Sequence, residues 1–327
     1  MKVILPLAGK GTRLRPLTNH VPKPMLKVAG RPVLDYVLDK LDGLPVDELL
    51  IITGHLKEQV EEYVRGRYPW RTRFVEQDVQ DGTGGAVARV LPYIDGPVMI
   101  IFVDTLFDAD LTLINRIDAD GIIWAKEVED YHRFGVIVTD AEGNMVRLVE
   151  KPSEPVSRLA NIGLYYMRDW EALCEGIRHT MSLPSHDGEW YLTDAFQHMV
   201  DAGRKIRTAA VGGWYDCGNV VTLLETNRHL LSNGRGQQPT SMDGVTIIEP
   251  VRVEDDASLV DCVIGPNVTI EAGARIERST LRHVIVGCDA SIADSTVENS
   301  LVGDRATVHG KMYDSMVIAH DEVAAAK

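Results

Sequence analysis

Residues 1–16 read MKVILPLAGKGTRLRP, and this stretch decides the fold. Its apolar run from Lys2 to Pro6 predicts a buried strand, and a loop with Gly9 and Gly11 follows directly. Glycines placed there let backbone N–H groups approach a phosphate closely. The loop is not a Rossmann fingerprint, because Leu14 stands at the third glycine position, and it lacks the Gly-Lys-Ser/Thr run of a Walker A loop. Taken alone, it is equally consistent with an ordinary tight turn from strand to helix.

Beyond this loop, short apolar runs alternate with helical patterns through the first two thirds of the chain. Strands separated by helix-length connections indicate βαβ units and a mainly parallel sheet, and nearly continuous apolar strands fit burial on both faces. We therefore predict an α/β domain with a Rossmann-like, mainly parallel mixed sheet. Its predicted strands are Lys2–Pro6, Glu48–Thr53, Arg73–Glu76 and Pro97–Val103, and its predicted helices are Val33–Leu44, Lys57–Arg67 and Gly84–Val90.

The last third of the chain has a different composition and a different spacing of apolar residues. The polar stretch from Ser232 to Met242 (SNGRGQQPTSM) is typical of a linker. After it, apolar residues recur at a period of about six, which predicts a left-handed parallel β-helix with roughly 18 residues per coil. The alternative is an antiparallel β-region with turn glycines. We predict a catalytic domain over 1–235 and a β-helix domain over 243–327. The repeating residues are Ile264, Ile270, Ile276, Val284-Ile285, Ile292, Val297, Val302 and Val308.

Composition limits the function classes. The 327 residues carry a formal net charge of −14, which argues against a broad surface for nucleic acid or anionic lipid. The four cysteines form no CxxC pair, so neither a zinc site nor a disulfide framework is indicated. The sequence has no signal-peptide pattern and no run of the roughly 18 apolar residues that a membrane span needs. We expect a soluble, cytoplasmic protein with no nucleic-acid partner and no membrane partner.

The N-terminal loop belongs to a larger, ordered set of motifs. The pattern Gly9-x-Gly-Thr-Arg-Leu-x-Pro-x-Thr18, followed by Pro22-Lys-Pro-Met-Leu26, resembles the signature of the nucleoside-diphosphate-sugar pyrophosphorylases, which are sugar-1-phosphate nucleotidyltransferases. The resemblance runs from the first strand to about Leu231. Its further motifs, in order, are Gln77–Ala86, Val103–Thr105, Phe134–Val136, Glu150–Pro152, Asn161–Tyr165, Glu189–Asp194 and Trp214–Gly218.

The resemblance implies a Mg²⁺-dependent enzyme that joins a nucleoside triphosphate (NTP) to a sugar-1-phosphate and releases pyrophosphate. It also implies a role for each matching residue. Catalysis falls to Arg13, Lys23, Asp104 and Asp216, of which Asp104 and Asp216 are the metal ligands. Nucleotide binding falls to Leu7, Ala8, Gly9, Gly11, Thr12, Gln77, Gly82 and Thr83, and sugar-phosphate binding to Gly135, Glu150, Lys151 and Asn161.

The chemistry explains why these residue types are needed. The sugar phosphate attacks the α-phosphorus in line with the departing pyrophosphate, so the protein contributes positioning and charge rather than a covalent intermediate. On this resemblance, the two carboxylates would hold Mg²⁺ against the phosphates, while Arg13 and Lys23 would neutralise the triphosphate. Lys151 would bind the sugar's phosphate, and Glu150 would accept hydrogen bonds from sugar hydroxyls. Outside this pattern, such carboxylates are solvated loop residues and a Lys-Glu pair is a surface ion pair.

Two residues depart from the family's usual pattern. Val103 stands where a glycine usually precedes the first metal aspartate, and Asn219 stands where threonine usually follows Gly218. Neither change removes a charged group, so we expect activity to be kept.

The sequence leaves the substrate pair open. Glucose-1-phosphate with dTTP or UTP is favoured, because the long form with a β-helical tail resembles the glucose-1-phosphate thymidylyltransferase group. Mannose-1-phosphate with GTP is the rival. Two other functions stay possible: a non-catalytic nucleotide-sugar-binding regulator, and an acetyl-CoA-dependent acyltransferase in the tail that uses His283, His309 or His320. We expect the tail to serve packing and homo-oligomer formation instead.

Overall fold

The computed structural model describes residues 1–239 and 244–326. The chain forms two compact units, unit 1 (Met1–Gly9 and Val37–Trp214) and unit 2 (Lys10–Tyr36 and Tyr215–Lys327). Thr240–Met242 of the predicted linker and Asp243, the first residue of the predicted second domain, lie outside the described residues. The domain ranges 1–235 and 243–327 stay a prediction. Each unit is described by itself.

Within the described residues, all helices lie in the first 239. The strands are β1 (Lys2–Pro6), β2 (Lys27–Val28), β3 (Arg31–Pro32), β4 (Glu48–Thr53), β5 (Arg71–Glu76), β6 (Val98–Ile101), β7 (Thr105–Asp108), β8 (Gly121–Glu127), β9 (Gly135–Thr139), β10 (Met145–Glu150), β11 (Leu159–Met167), β12 (Ile206–Ala210) and β13 (Gly213–Asp216). The α-helices are α1 (Val33–Asp39), α2 (Lys57–Val64), α3 (Gly82–Ala88), α4 (Trp170–Ser182), α5 (Leu192–Asp201) and α6 (Val220–Leu230). Short 3₁₀ turns include Thr12–Leu14, Leu17–Asn19 and Lys23–Met25.

Unit 1 is built on one mixed sheet. The strands β6, β1, β4 and β5 lie side by side and run parallel, with Ile4 opposite both Leu50 and Ile100. Next to β6, β11 runs antiparallel and also pairs with β8 and β9, while β12 runs parallel to β8. Every residue of β4 is buried, as expected for a strand covered on both faces. The predicted α/β class with a Rossmann-like mixed sheet is confirmed.

The predicted helices and strands of the first 235 residues agree in type; the predicted ends of β1 and β4 also agree, while those of the other elements differ. The strand predicted over Pro97–Val103 is the shorter β6, because the chain turns at Val103 and Asp104. The helix predicted over Val33–Leu44 ends at Asp39, since the residues after it make i→i+3 bonds, such as Leu41 N to Leu38 O at 3.0 Å. No helix within residues 1–239 or 244–326 is long and apolar enough to cross a membrane.

The C-terminal part of unit 2 consists of short strands. They are β14 (Thr246–Ile247), β15 (Val251–Val253), β16 (Ser258–Val260), β17 (Val263–Ile264), β18 (Val268–Ile270), β19 (Arg275–Glu277), β20 (Thr280–Val286), β21 (Ser291–Ala293), β22 (Thr296–Val302), β23 (Thr307–His309), β24 (Met312–Asp314), β25 (Met316–Ala319) and β26 (Glu322–Ala325). Strands of successive coils stack in parallel, and β26 folds back antiparallel on β25.

The repeat predicted from the apolar period stacks as in a β-helix. Ile276, Ile292 and Val308 lie in register on β19, β21 and β23 and are almost completely buried, as are the other repeating residues. The parallel β-helix is therefore confirmed, while its handedness stays a prediction. Its coils are shorter than the expected 18 residues, because positions 276, 292 and 308 are 16 residues apart.

The coils are short because the chain turns sharply between their strands. At each of three corners of the β-helix, one residue with positive φ turns the chain, and the same corner recurs in successive coils. Aspartate and asparagine occupy many of these corners, and they tolerate this conformation better than most side chains. The residues at the three corners are Asp261, Arg278, Asp294 and Gly310; Asn267, His283, Asn299 and Ser315; and Gly273, Asp289 and Arg305.

Candidate active site

The first site residues lie where parallel strands of unit 1 end. Leu7 and Ala8 follow β1 and are buried, and the Leu7 amide donates to the Ile52 carbonyl at 2.8 Å. The Gln80 side chain donates to the Ala8 carbonyl at 3.2 Å. Gly9 is exposed, with open space where a side chain would be. The carboxyl ends of parallel strands are the usual ligand edge of an α/β sheet.

Gln77 is held rigidly next to this edge. It is buried, its amide donates to the Thr53 carbonyl at 2.8 Å, and its side-chain nitrogen donates to Asp81 Oδ1 at 2.8 Å and to the Gly82 carbonyl at 3.3 Å. Asp81 in turn pairs with Arg89 at 2.8 Å. The orientation of the Gln77 side chain is therefore fixed by the protein itself.

The start of α3 is locked to the segment before α5. Gly84 N donates to the Trp190 carbonyl at 2.7 Å, and Trp190 N donates to the Asp81 carbonyl at 2.9 Å. Gly82 has φ +94°, and a Cβ there would lie 2.5 Å from the Trp190 carbonyl oxygen, so only glycine fits. The Thr83 hydroxyl accepts from Leu192 N at 2.9 Å and so satisfies an amide in the first turn of α5.

The predicted sugar-phosphate residues come together in unit 1. Gly135 lies opposite Glu150 on paired strands, and Asn161 Nδ2 donates to the Gly135 carbonyl at 2.9 Å. A Cβ on Gly135 would lie 2.4 Å from Asn161 Nδ2 and 2.7 Å from Glu150 Oε2. The missing side chain thus leaves room for both polar groups to converge. Tyr165 donates from its hydroxyl to Asn161 Oδ1.

Burial dominates the electrostatics of this cluster. Burial raises the pKa of Glu150, the charge of Lys151 acts against this rise, and the charges of Asp194 and Glu189 add to it. Burial also raises the pKa of Tyr165, with smaller contributions from the charges of Glu150 and Asp104. Tyr165 therefore remains a neutral hydroxyl within electrostatic reach of two predicted site carboxylates.

Tyr165 ends the Asn161–Tyr165 motif, which resembles part of the family's sugar-phosphate pocket, but it is not among the individually predicted binding residues. Both residues lie on β11, whose register shifts between them, and the hydroxyl of Tyr165 donates to the Asn161 side chain across that irregularity.

Lys151 follows β10 in a left-handed conformation with φ +43°. Its side chain is exposed, and its ammonium lies 5.7 Å from the centre of the Tyr191 ring. The ring favours a cation at this distance. The Lys151 amide donates to the Phe134 carbonyl at 3.1 Å, which ties it to the strand that bears Gly135. Phe134 and Trp214 add an edge-to-face aromatic pair with centres 5.0 Å apart.

Asp104 is half-buried in the turn between β6 and β7, directly after the apolar strand, as its motif predicted. In unit 2, Asp216 Oδ1 accepts from Gly218 N at 2.7 Å, which orients the carboxylate. Asn219 accepts from Thr222 N at 3.1 Å and so caps α6, which accounts for asparagine at this position.

The donor set fits Mg²⁺ that arrives with a nucleotide. The described residues contain no group of three or more histidine, cysteine or acidic side chains able to hold a metal by themselves. Mg²⁺ is commonly bound by one or two carboxylates together with substrate phosphates and water. Single aspartates such as Asp104 and Asp216 match that pattern.

The remaining predicted residues belong to unit 2. Gly11 has φ +60°, and a Cβ there would lie 2.9 Å from Thr18 Cγ2 and 3.2 Å from Lys23 Cβ, so the three signature residues pack together. Thr18 Oγ1 donates to the Gly11 carbonyl at 2.8 Å. Thr12 and Arg13 are exposed and line a cavity of about 480 Å³ together with β26.

The structure thus groups the predicted residues by unit. Unit 1 brings together Gly135, Glu150 and Asn161, and separately holds Gln77 near Gly82. Arg13, Lys23 and Asp216, with Gly11 and Thr12, belong to unit 2. The joint catalytic role of the two sets stays a prediction.

Comparison with known proteins places these motifs in a family. Residues 2–233 match the family model described as nucleotidyl transferase, which covers well over half of the chain. The chain belongs to the nucleotidyl transferase family. The family resemblance predicted from the sequence is therefore confirmed.

This nucleotidyl transferase is similar to proteins with several different names. It is 37% identical to a bifunctional protein GlmU of Methanococcus aeolicus, over 76% of this chain and 60% of that protein. It is 31% identical to a UTP–glucose-1-phosphate uridylyltransferase, AglF, of Haloferax volcanii, over 65% of this chain and 89% of that protein. It is 30% identical to a glucose-1-phosphate thymidylyltransferase of Streptomyces antibioticus, over 99% of this chain and 88% of that protein.

The nucleotidyl transferase fold also matches a solved structure. A crystal structure of UDP-glucose pyrophosphorylase complexed with UDP-glucose superposes with a TM-score of 0.64 at 25% identity, over 71% of this chain and 98% of that one.

Proposed function

We propose that this nucleotidyl transferase joins an NTP to a sugar-1-phosphate, giving an NDP-sugar and pyrophosphate. Glucose-1-phosphate with dTTP or UTP is the favoured pair. The names of the uridylyltransferase and thymidylyltransferase relatives support this choice, and the second of these matches almost the whole chain.

The observation that carries the proposal is the cluster around Glu150. A partly buried carboxylate and an oriented asparagine converge beside a glycine and form a small polar cluster in unit 1. Such a cluster suits a ligand with several hydroxyls, because each desolvated acceptor needs a donor. The exposed ammonium of Lys151 follows directly in sequence and provides a positive charge for a phosphate.

The reaction assigns a task to each group. Glu150 and Asn161 bind and orient the sugar, and Lys151 binds the phosphate that attacks. Gln77, fixed by the Thr53 carbonyl and Asp81, reads the base. Arg13 and Lys23 are assigned to the triphosphate, where they neutralise charge that grows on the leaving pyrophosphate. Because both reactants are held in fixed positions, the bimolecular displacement becomes effectively unimolecular.

Asp104 and Asp216 are the residues assigned to Mg²⁺. When bound, the ion would screen the negative charge of the phosphate oxygens. We propose both aspartates as ligands because carboxylate oxygens suit Mg²⁺ and because both match the family pattern.

The test is pyrophosphate release from the purified chain with Mg²⁺. Each NTP is paired with glucose-, galactose-, mannose- and N-acetylglucosamine-1-phosphate. One preferred pair supports the enzyme and names its product, and preference for GTP with mannose-1-phosphate would replace the favoured pair with its rival. A folded protein that binds NDP-sugars tightly but releases no pyrophosphate would support the regulatory alternative.

The acyltransferase alternative has its own test. The tail would have to bind coenzyme A, so calorimetry with acetyl-CoA decides it. Absence of binding ends that alternative and leaves packing and homo-oligomer formation as the proposed role of the tail.

A further inference from the structure

The signature segment of unit 2, residues 10–36, packs on the β-helix. Ala29 N donates to Asn227 Oδ1 at 2.8 Å, and Thr269 of β18 donates to the same oxygen at 2.8 Å. Asn227 is completely buried. Leu17 fills the space that Gly303 leaves, since a Cβ there would lie 2.6 Å from Leu17 Cδ2. The segment that carries Arg13 and Lys23 is thus anchored on strands far along the chain.

One charged pair crosses this contact. Lys27 Nζ lies 2.7 Å from Glu271 Oε2, and the two residues are 244 positions apart in sequence. The Glu271 side chain is only 3% exposed, against 35% for Lys27. Burial acts to lower the pKa of Lys27, but the hydrogen bond and charge of Glu271 outweigh it and hold the pKa above its ordinary value. Lys27 also lies 3.3 Å from Cys288 Sγ.

The charges of Lys27 and Glu271 compensate each other in partly apolar surroundings. Glu271 Oε1 is buried and has no hydrogen-bond partner within residues 1–239 and 244–326, so Lys27 supplies the charge-assisted bond to this carboxylate. Arg252, Glu254 and Asp304 are the other charged groups near the pair. A cavity of about 70 Å³ adjoins it and is otherwise lined mainly by apolar side chains, including Leu17, Met25, Leu26, Ile285 and Leu301. Removing Lys27 would leave the Glu271 carboxylate buried without compensation, and removing Glu271 would take away the partner that offsets the partial desolvation of Lys27.

We propose that Lys27 and Glu271 are positioning residues of the transferase reaction, which fix the segment bearing Arg13 and Lys23 on the β-helix. Lys27 begins β2 only two residues after the 3₁₀ turn Lys23–Met25, so little chain separates the anchor from Lys23. The β-helix therefore has a second role besides packing. It holds one part of the proposed catalytic machinery. This inference rests on the proposed function.

The first experiment is the isosteric variant Glu271→Gln in the full chain. We expect kcat to fall about tenfold to a hundredfold and the KM for the NTP to rise, because a small displacement of charged groups is costly in an in-line reaction. The KM for the sugar-1-phosphate should stay unchanged, since its proposed residues lie in unit 1. A purely structural role would lower stability without this split between the two KM values.

Hydrogen–deuterium exchange gives a readout that needs no activity. Amides of residues 10–36 should exchange faster in Glu271→Gln than in the wild type, with β1, β4 and β6 unaffected. Asp294→Asn is the matched control, because it breaks an exposed ion pair with Arg278 in the same β-helix. The control should leave the exchange and both KM values unchanged.

A double-mutant cycle checks that the two residues act as a unit. Lys27→Met and Glu271→Leu should each lower kcat, and the double variant should fall no further than the worse single one, since no unpaired charge remains. Lys27→Arg should retain most of kcat, because the adjoining cavity gives room for the larger head group.

The outcomes separate this inference from the proposed function. An active wild type whose Glu271→Gln variant keeps kcat and both KM values would overturn the inference and leave the function standing. A wild type that releases no pyrophosphate with any pair defeats the function instead. Exchange in residues 10–36 that is equal in wild type and Glu271→Gln overturns the anchoring in either case.

Discussion

At the scale of single residues, Glu150 combines a desolvated position with a proposed binding role. Burial holds its pKa above the usual glutamate value of 4.5, so the folded state binds the proton more tightly than the unfolded state. This group therefore contributes stability that is present below the usual pKa and is lost as the pH rises through the raised pKa. Glu150→Gln should be more stable than the wild type at pH 7, and the difference should disappear in acid. Thermal unfolding across a pH series measures this.

Asp140→Asn is the control, because the pKa of Asp140 is shifted in the opposite direction from that of Glu150. The hydrogen bonds from Asn144 and neighbouring amides lower the pKa of Asp140, so its stabilisation is present above the usual aspartate pKa and is lost as the pH falls through the lowered one. The asparagine variant should be less stable than the wild type at pH 7. If both variants shift in the same direction, the assignment of Glu150 as a destabilised carboxylate is wrong.

The same Glu150→Gln change tests binding. A hydrogen bond to a charged acceptor is worth about 1.5–3 kcal/mol, so its loss should raise the KM for the sugar-1-phosphate about tenfold or more. The KM for the NTP should not change. Equal effects on both values in steady-state kinetics would contradict a role confined to the sugar.

At the scale of elements, the start of α3 depends on a glycine. Gly82→Ala places a methyl group against the Trp190 backbone and requires φ +94° of an alanine. We expect a loss of roughly 2–5 kcal/mol in the free energy of unfolding, from overpacking plus the left-handed backbone. The KM for the NTP should rise as well, because Gln77 donates to the Gly82 carbonyl. Urea unfolding and steady-state kinetics provide the two numbers.

Gly96→Ala is the matched control for this change. Nothing lies within 4 Å of the position of its added Cβ, and its φ lies outside the left-handed range. It should unfold within about 0.5 kcal/mol of the wild type, as surface substitutions usually do. A comparable loss in both variants would mean that the contact between Gly82 and Trp190 does not limit stability.

At the scale of the whole molecule, the β-helix is stabilised by a stack of side chains from successive coils. Ile292 lies between Ile276 and Val308 in register and is completely buried. Ile292→Ala should lower the free energy of unfolding of the β-helix by about 2–5 kcal/mol, the usual loss for a buried isoleucine. Because residues 10–36 pack within the same unit, their amide exchange should rise together with that of the coils.

The exposed Val260 is the control for the stack. It lies on β16 with 42% of its surface exposed, so Val260→Ala removes little buried area. Its effect on unfolding should be below about 0.5 kcal/mol. If Ile292→Ala loosens the coils but leaves exchange in residues 10–36 unchanged, the segment and the β-helix are not one cooperative unit.

The sequence by itself determined the classes of structure and the family. Local periodicity predicted β1, β4 and the coils, because the spacing of apolar residues reports which face of an element is buried. The ordered motifs from Gly9 to Gly218 predicted the nucleotidyl transferase family. Both kinds of signal lie in short stretches of neighbouring residues, so they can be read before the chain is folded.

Only the tertiary structure decided which distant residues meet. Lys27 and Glu271 look like ordinary surface charges in the sequence, and their pairing depends on a fold that brings positions 244 residues apart into contact. The 16-residue coil depends on single left-handed corners, which the apolar period does not encode. The contact of Asn161 with Gly135 likewise depends on the folding of β11 beside β9. Long-range packing selects these contacts by burial and charge compensation, and no local pattern carries that information.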